Sequence, residues 1–220
     1  MKISEMSNTS LRVLTGVGMA VVLVLALFLE FKFPTIHVIR WLSVLIALCG
    51  IIEMAKCLMK TDADNLHQHG GIYMLFSLWL VVLLAAAYYV GLRPGIMLWM
   101  FMIIIGADTG AWFIGNLFGG DKMWEKLSEH KTWSGQIGGI ICGTLMSILY
   151  FKIFGGYLPN AIWVGISVSL LSQYGDLTAS FVKRHLGIKD FGNILPGHGG
   201  MLDRFDGWIY ILPLIWFMIG

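Results

Sequence analysis

Charge is scarce in this sequence. Asp, Glu, Lys and Arg make up 13% of its 220 residues, against 57% hydrophobic residues, whereas soluble domains carry about 25% charged residues. That shortage excludes an ordinary soluble domain of this length. The formal net charge is only +2, and the basic residues are spread along the chain instead of forming a tail, so no nucleic-acid partner is expected. Cysteine is scarce too: Cys49, Cys57 and Cys142 lie in or beside apolar runs with no CxxC or His-interleaved spacing, which leaves them as packing residues. There is no Ser-His-Asp, HExxH or Walker pattern, no internal repeat and no low-complexity tract. The first apolar run follows "MKISEMSNTSLR" without a small-residue cleavage site, so a retained helix and a mature chain are expected.

What the sequence has in abundance is apolar runs of membrane-spanning length. A spanning helix needs roughly 20 predominantly apolar residues, and seven runs qualify, at about 11–29, 41–59, 71–91, 95–118, 135–155, 158–182 and 203–220. The expected fold is all-α, a polytopic integral membrane protein of about seven helices with residues 1–220 forming one membrane-embedded domain. Seven helices place alternate loops on opposite sides, and Lys and Arg collect in cytoplasmic loops. One side then receives Lys2, Arg12, Lys56, Lys60, Lys122, Lys126, Lys131, Lys183, Arg184, Lys189 and Arg204, the other Lys32, Arg40, Arg93 and Lys152. Eleven against four puts the N-terminus inside, and with it both long charged loops, "KTDADNLHQHG" and "GGDKMWEKLSEHKTWSG".

Charged groups at membrane depth cost about 2.5 to 3.5 kcal/mol each on insertion scales, so those that persist face a cavity or a partner. Asp108 stands in the middle of "MIIIGADTGAWFIGNLFGG". In the sixth run Asp176, Ser180 and Lys183/Arg184 recur at i, i+4 and i+7/i+8, a spacing that stacks them on one helix face. Asp203 and Asp206 stand three apart at the start of the seventh run, behind "PGHGG". Helix capping is the plain reading of that pair; the glycines would also let backbone N–H groups approach an anion. Carboxylates suit a hard cation such as Mg²⁺, and Lys183, Arg184, Lys189, His198 and Arg204 suit phosphates. Together they fit phosphoryl or nucleotidyl transfer, where catalysis is mostly positioning and charge neutralisation. Glu53, with Lys56 at i+3, either pairs with that lysine or closes the site. His67 and His69 are expected to be solvated loop residues, and the many aromatic residues to be core and interfacial-belt residues.

The stretch "SFVKRHLGIKDFGNILPGHGGMLDRFD", Ser180 to Asp206, resembles the signature of the phosphatidate cytidylyltransferase family, also called CDP-diacylglycerol synthase. "GDLTAS" at 175–180, "DTGAWFIGNLFG" at 108–119 and "HKTWSGQIGG" at 130–139 are similar to family segments in the same order. The resemblance covers roughly residues 100–207. Gly207 stands where the family often has Ser, and Ser134 where "KTWEG" is common. The chain is also shorter than typical bacterial members, which bears on the number of N-terminal helices.

The resemblance implies a reaction in which CTP and phosphatidate give CDP-diacylglycerol and pyrophosphate. It implies Asp176 and Asp203 as metal carboxylates with Ser180 adjacent, Asp206 as a further ligand, and Mg²⁺ as the ion, with a second cation such as K⁺. It assigns Lys183, Arg184, Lys189, His198 and Arg204 to the CTP or lipid phosphates. Asp108, Lys131, Thr132 and Trp133 then support the site or contact nucleotide. A homodimer in the inner (cytoplasmic) membrane, with its site facing the cytoplasm, is the family expectation. Two alternatives stand beside it: a membrane transferase acting on another lipid phosphate or a lipid alcohol, and a transporter using Asp108 and Asp176.

Overall fold

The computed structural model describes residues 8–125, 127–155 and 157–219. Lys2 and Lys126, two of the eleven basic residues assigned to the inner side, lie outside the described residues, as does the side chain of Arg12. Seven helices are present among the described residues: α1 (Asn8–Lys32), α2 (Val38–Met59), α3 (Ala63–Val90), α4 (Pro94–Phe118), α5 (Trp133–Phe154), α6 (Leu158–His185) and α7 (Ile211–Ile219). A two-stranded antiparallel hairpin, β1 (Lys122–Trp124) and β2 (Ser128–Thr132), stands between α4 and α5, with Lys122 opposite Thr132 and Trp124 opposite Ser128. This is an all-α polytopic membrane architecture; five of its helices, α1 to α5, are long and apolar enough to cross a bilayer.

Helix ends follow local chemistry. Pro34 closes the first apolar run and opens a short 3-10 turn, Pro34–Ile36, since proline cannot continue a helix hydrogen-bond ladder. His37 then takes a left-handed φ of 52°, and the buried carboxylate of Glu30 accepts the N–H of Ile39 at 2.9 Å, satisfying one of the donors that every helix start leaves open. Pro94 begins α4, where its fixed φ and missing N–H do no harm. Thr132 is the N-cap of α5, its hydroxyl accepting the N–H of Gly135 at 3.1 Å. Lys183, Arg184 and His185 fill the last turn of α6, complementing the negative end of the helix dipole.

Three expectations change in the structure. The third helix begins at Ala63, so His67 and His69 are helical and not in a loop; Asp62 starts the helix and nothing in "ADNLHQHGG" interrupts it. The charged segment after α4, read as a loop, contains the hairpin. The seventh apolar run does not form a spanning helix: residues 201–205 are turns, Asp206–Trp208 a 3-10 turn, and α7 only 9 residues long. Nine residues rise about 14 Å, against a hydrocarbon core about 30 Å thick.

The chain folds as two compact units, each discontinuous in sequence. The first comprises residues up to Pro94 with Val182–Phe205 and Ile215–Gly220; the second comprises Gly95–Phe181 with Asp206–Leu214. In the first, α2 and α3 pack with Met54, Tyr73, Leu80 and Val90 fully buried. In the second, the core is built on close helix approach. A Cβ on Gly139 of α5 would stand 2.9 Å from the Ala107 carbonyl of α4, and one on Gly143 3.1 Å from that of Ile103, the small-residue packing that brings membrane helices together. Along α5 the side chains of Ile137, Ile141, Leu145, Leu149 and Ile153 are exposed, an apolar stripe suited to lipid.

Candidate active site

In the second unit, α4, the hairpin, α5 and α6 line a pocket of about 330 Å³ whose polar walls are Asp108, Ser128, Lys131, Thr132, Gln136, Gln173 and Asp176. Its electrostatic centre is the ion pair from Lys131 Nζ to Asp176 Oδ2, 2.6 Å long, with the Asp176 side chain 41% exposed. Such a half-exposed pair is weak as a stabilising contact; its worth lies in keeping a carboxylate and an ammonium at one wall of a cavity. Ser180 Oγ stands 3.5 Å from Asp176 Oδ1, one helical turn on. Four of the residues singled out from the sequence therefore meet here: Asp108, Lys131, Thr132 and Asp176.

Thr132, and the expected residues Trp133 and Asp206, also have local places in this unit. The Thr132 hydroxyl caps α5 and also contacts Ser134 Oγ at 3.1 Å, while Ser134 Oγ donates to the carbonyl of Gly119, so the departure at Ser134 ties the head of α5 to the end of α4. Trp133 is exposed at the first position of α5 and does not line the pocket. Asp206 accepts the N–H of Gly207 at 2.9 Å, and its carbonyl lies so close to Gly175 that no Cβ fits there. Sequence reasoning missed Gln136 and Gln173. Gln173 Nε2 donates to the carbonyls of Gln136 at 3.4 Å and Ser169 at 3.3 Å. The available signal was its place three residues before Asp176, one turn away on the same helix.

In the first unit the signature folds about a second lysine–aspartate pair. Lys183 Nζ donates to Asp203 Oδ1 at 2.8 Å, both side chains nearly inaccessible, and the ammonium stands 5.5 Å from the centroid of the Phe191 ring, a cation–π geometry. Asp203 Oδ2 accepts the N–H groups of Phe191 at 2.8 Å and Gly200 at 2.9 Å. Phe191 stacks on Phe76 of α3. A carboxylate with four lone-pair sites is thus largely satisfied by the protein itself. His198 Nδ1 lies 2.7 Å from Thr15 Oγ1 of α1, and its carbonyl accepts Arg204 Nε at 2.8 Å. Arg184, Lys189 and Arg204 are exposed and make no ion pair among the described residues.

The glycines of "PGHGG" do something other than cradle an anion at their C-terminal end. The N–H of Gly200 goes to Asp203, and those of Met201 and Leu202 go to the two oxygens of Glu53, at 2.9 and 2.8 Å. Glu53 makes no ion pair with Lys56. Gly199 has φ +86°, a left-handed conformation that favours glycine.

Oxygen donors of the second-unit pocket suit a hard divalent cation, since Mg²⁺ is commonly held by one or two carboxylates, with waters and substrate phosphates completing its shell. Asp176 and Asp108 on the pocket wall are of that type. Among the described residues no group of three or more His, Cys, Asp or Glu side chains forms a ready-made cage.

The description "Cytidylyltransferase family" matches residues 1–220. Proteins named phosphatidate cytidylyltransferase from Staphylococcus haemolyticus (strain JCSC1435) and Staphylococcus aureus (strain COL) are 45% and 44% identical to this chain over 120 residues. One of the same name from Staphylococcus epidermidis (strain ATCC 35984 / DSM 28319 / BCRC 17069 / CCUG 31568 / BM 3577 / RP62A) is 45% identical over 122 residues. Each alignment takes in 54% of this chain and 46% of the relative, so the likeness spans about half of the relatives' length. With the family pattern matched over residues 1–220, the chain belongs to the cytidylyltransferase family.

Proposed function

We propose that this protein transfers CMP from CTP to the phosphate of phosphatidate, giving CDP-diacylglycerol and pyrophosphate. The phosphatidate oxygen forms a bond to the α-phosphorus of CTP as the bond between that phosphorus and the bridging oxygen to the β-phosphate breaks, and pyrophosphate leaves. A phosphate monoester has a second pKa near 6, so the nucleophile is largely ionised at neutral pH and no strong general base is required. The obstacle is repulsion between two polyanions, and the remedy is fixed positive charge and alignment. The observation that carries this reading is the pocket of the second unit, where Lys131, Asp176 and Asp108 stand together in a chain of apolar helices. Its volume lies at the lower end of the roughly 300–1,000 Å³ usual for small-molecule sites.

In this reading Mg²⁺ would be held by Asp176, with Asp203 and Asp206 as the signature's further oxygen ligands, and a monovalent ion such as K⁺ would be a second cation. The bound ion would supply charge neutralisation at the phosphates. Lys131, Lys183, Arg184, Lys189, His198 and Arg204 bind and orient the CTP and lipid phosphates. Ser180 and Asp108 orient substrate beside Asp176, and Thr132 and Trp133 fix the head of α5 next to them. Residues 1–220 act as one membrane-embedded domain in the cytoplasmic membrane, N-terminus inside and site facing the cytoplasm, and as a homodimer.

The test uses purified protein, CTP labelled at the α-phosphate, Mg²⁺, and separate phosphatidate, polyprenyl phosphate and diacylglycerol substrates. Label entering a lipid with phosphatidate supports the proposal. Label entering only another acceptor moves the assignment to that lipid, and absence of labelled lipid from every acceptor overturns it.

A further inference from the structure

The signature begins at Ser180, yet its central loop is held by a residue from the other end of the sequence. Glu53 lies in α2, 148 positions from Met201, and is 2% exposed. Its Oε1 accepts the N–H of Met201 and its Oε2 that of Leu202. No cation pairs with it among the described residues. A buried carboxylate without a counter-charge is costly, and here the compensation comes from two successive backbone donors of one loop. Space is arranged to match. A Cβ on Gly192 would stand 2.6 Å from Oε1, and one on Gly200 2.6 Å from both oxygens; neither glycine has a positive φ, so the carboxylate itself is what excludes a side chain there.

Glu53 and Asp203 divide the loop between them. Asp203 takes the N–H groups of Phe191 and Gly200, and Glu53 the next two in sequence. Fixed in this way, the loop leaves Arg204 exposed and His198 half-exposed, tied to each other through the bond from Arg204 Nε to the His198 carbonyl. We propose that Glu53 is a positioning residue for the transfer reaction: a buried carboxylate staple that sets the 199–204 loop, and with it His198 and Arg204, in the geometry that binds phosphate. The inference rests on the cytidylyltransferase reading for its consequence in turnover, but not for the staple itself.

Two measurements on the full chain in detergent or nanodiscs separate these. Amide hydrogen exchange over residues 199–203 reads the staple directly. It should quicken about tenfold or more in Glu53→Ala, and less in Glu53→Gln, whose single carbonyl oxygen still accepts one N–H, while α5 stays protected as in the wild type. Turnover per folded molecule should fall about tenfold or more in kcat for Glu53→Ala, with Glu53→Gln intermediate. Gly200→Ala should lower kcat in the wild-type background by displacing the carboxylate, and should cost little more in Glu53→Ala, where its methyl has room. Additive effects of Gly200→Ala and Glu53→Ala, unchanged exchange at 199–203, or full kcat in folded Glu53→Ala would each overturn the proposal. A wild-type protein that turns over no CTP, but shows the exchange pattern, overturns the functional reading and the positioning role while leaving the staple in place.

Discussion

At the scale of single residues, two of the three carboxylates singled out for metal, Asp176 and Asp203, are each paired with a lysine, and the two pairs differ in kind. Lys131–Asp176 is half-exposed at a cavity wall; Lys183–Asp203 is buried and reinforced by two backbone N–H groups. Asp176→Asn should therefore leave stability nearly unchanged and lower CMP transfer by about a hundredfold or more, as loss of a preorganised site charge does; thermal unfolding and turnover on the same sample check both halves. Lys183→Met should cost about 3–5 kcal/mol, because it strands a buried charge. Adding Asp203→Leu should restore only part of that, since the N–H groups of Phe191 and Gly200 then lose their acceptor, and should not restore turnover. The charged members of the site were legible in the sequence because charge inside apolar runs is costly and so conspicuous. Gln136 and Gln173 were not, being neutral, and Glu53 was read as pairing with Lys56 or closing the site, whereas its partners, the Met201 and Leu202 amides, lie 148 and 149 positions away.

At the scale of elements, apolar run length and breaker residues were enough to place α1 to α6, and the same signal failed at the end of the chain. "WIYILPLIWFMIG" is apolar enough to suggest a spanning helix from Asp203, but residues 201–203 are committed elsewhere: Met201 and Leu202 donate to Glu53, and Asp203 accepts from Lys183, Phe191 and Gly200. The backbone turns there, and the helix starts only at Ile211. The hairpin Lys122–Thr132 was equally hidden, because strands of three and five residues carry no run of alternating apolar side chains. In the second unit the pocket depends on how closely α4, α5 and α6 approach. Gly139→Ala would set its methyl 2.7 Å from Gln173 Nε2 and 2.9 Å from the Ala107 carbonyl. The expected cost is about 1–3 kcal/mol from overpacking, read as a lower unfolding midpoint, with CTP turnover reduced because Gln173 lines the pocket.

At the scale of the whole molecule, the proposed orientation, with the N-terminus and the site on the cytoplasmic side, rests on the distribution of basic residues, eleven against four. Single cysteines placed at Thr61, between α2 and α3, and at Leu92, between α3 and α4, should label from opposite sides of intact cells, Thr61→Cys only after the cytoplasm is made accessible. Labelling of both positions from one side would overturn the assigned orientation. Chelating divalent ions should abolish transfer and Mg²⁺ should restore it, because two polyanions must be brought together; transfer that persists in excess chelator would remove the ion from the account. The most direct measurement is CTP-dependent conversion of phosphatidate by the purified wild-type protein with Mg²⁺ present, compared with Asp176→Asn. The account predicts equimolar CDP-diacylglycerol and pyrophosphate from the wild type and almost none from the variant; no lipid-linked CMP from folded wild-type protein, or equal turnover by both, would contradict it.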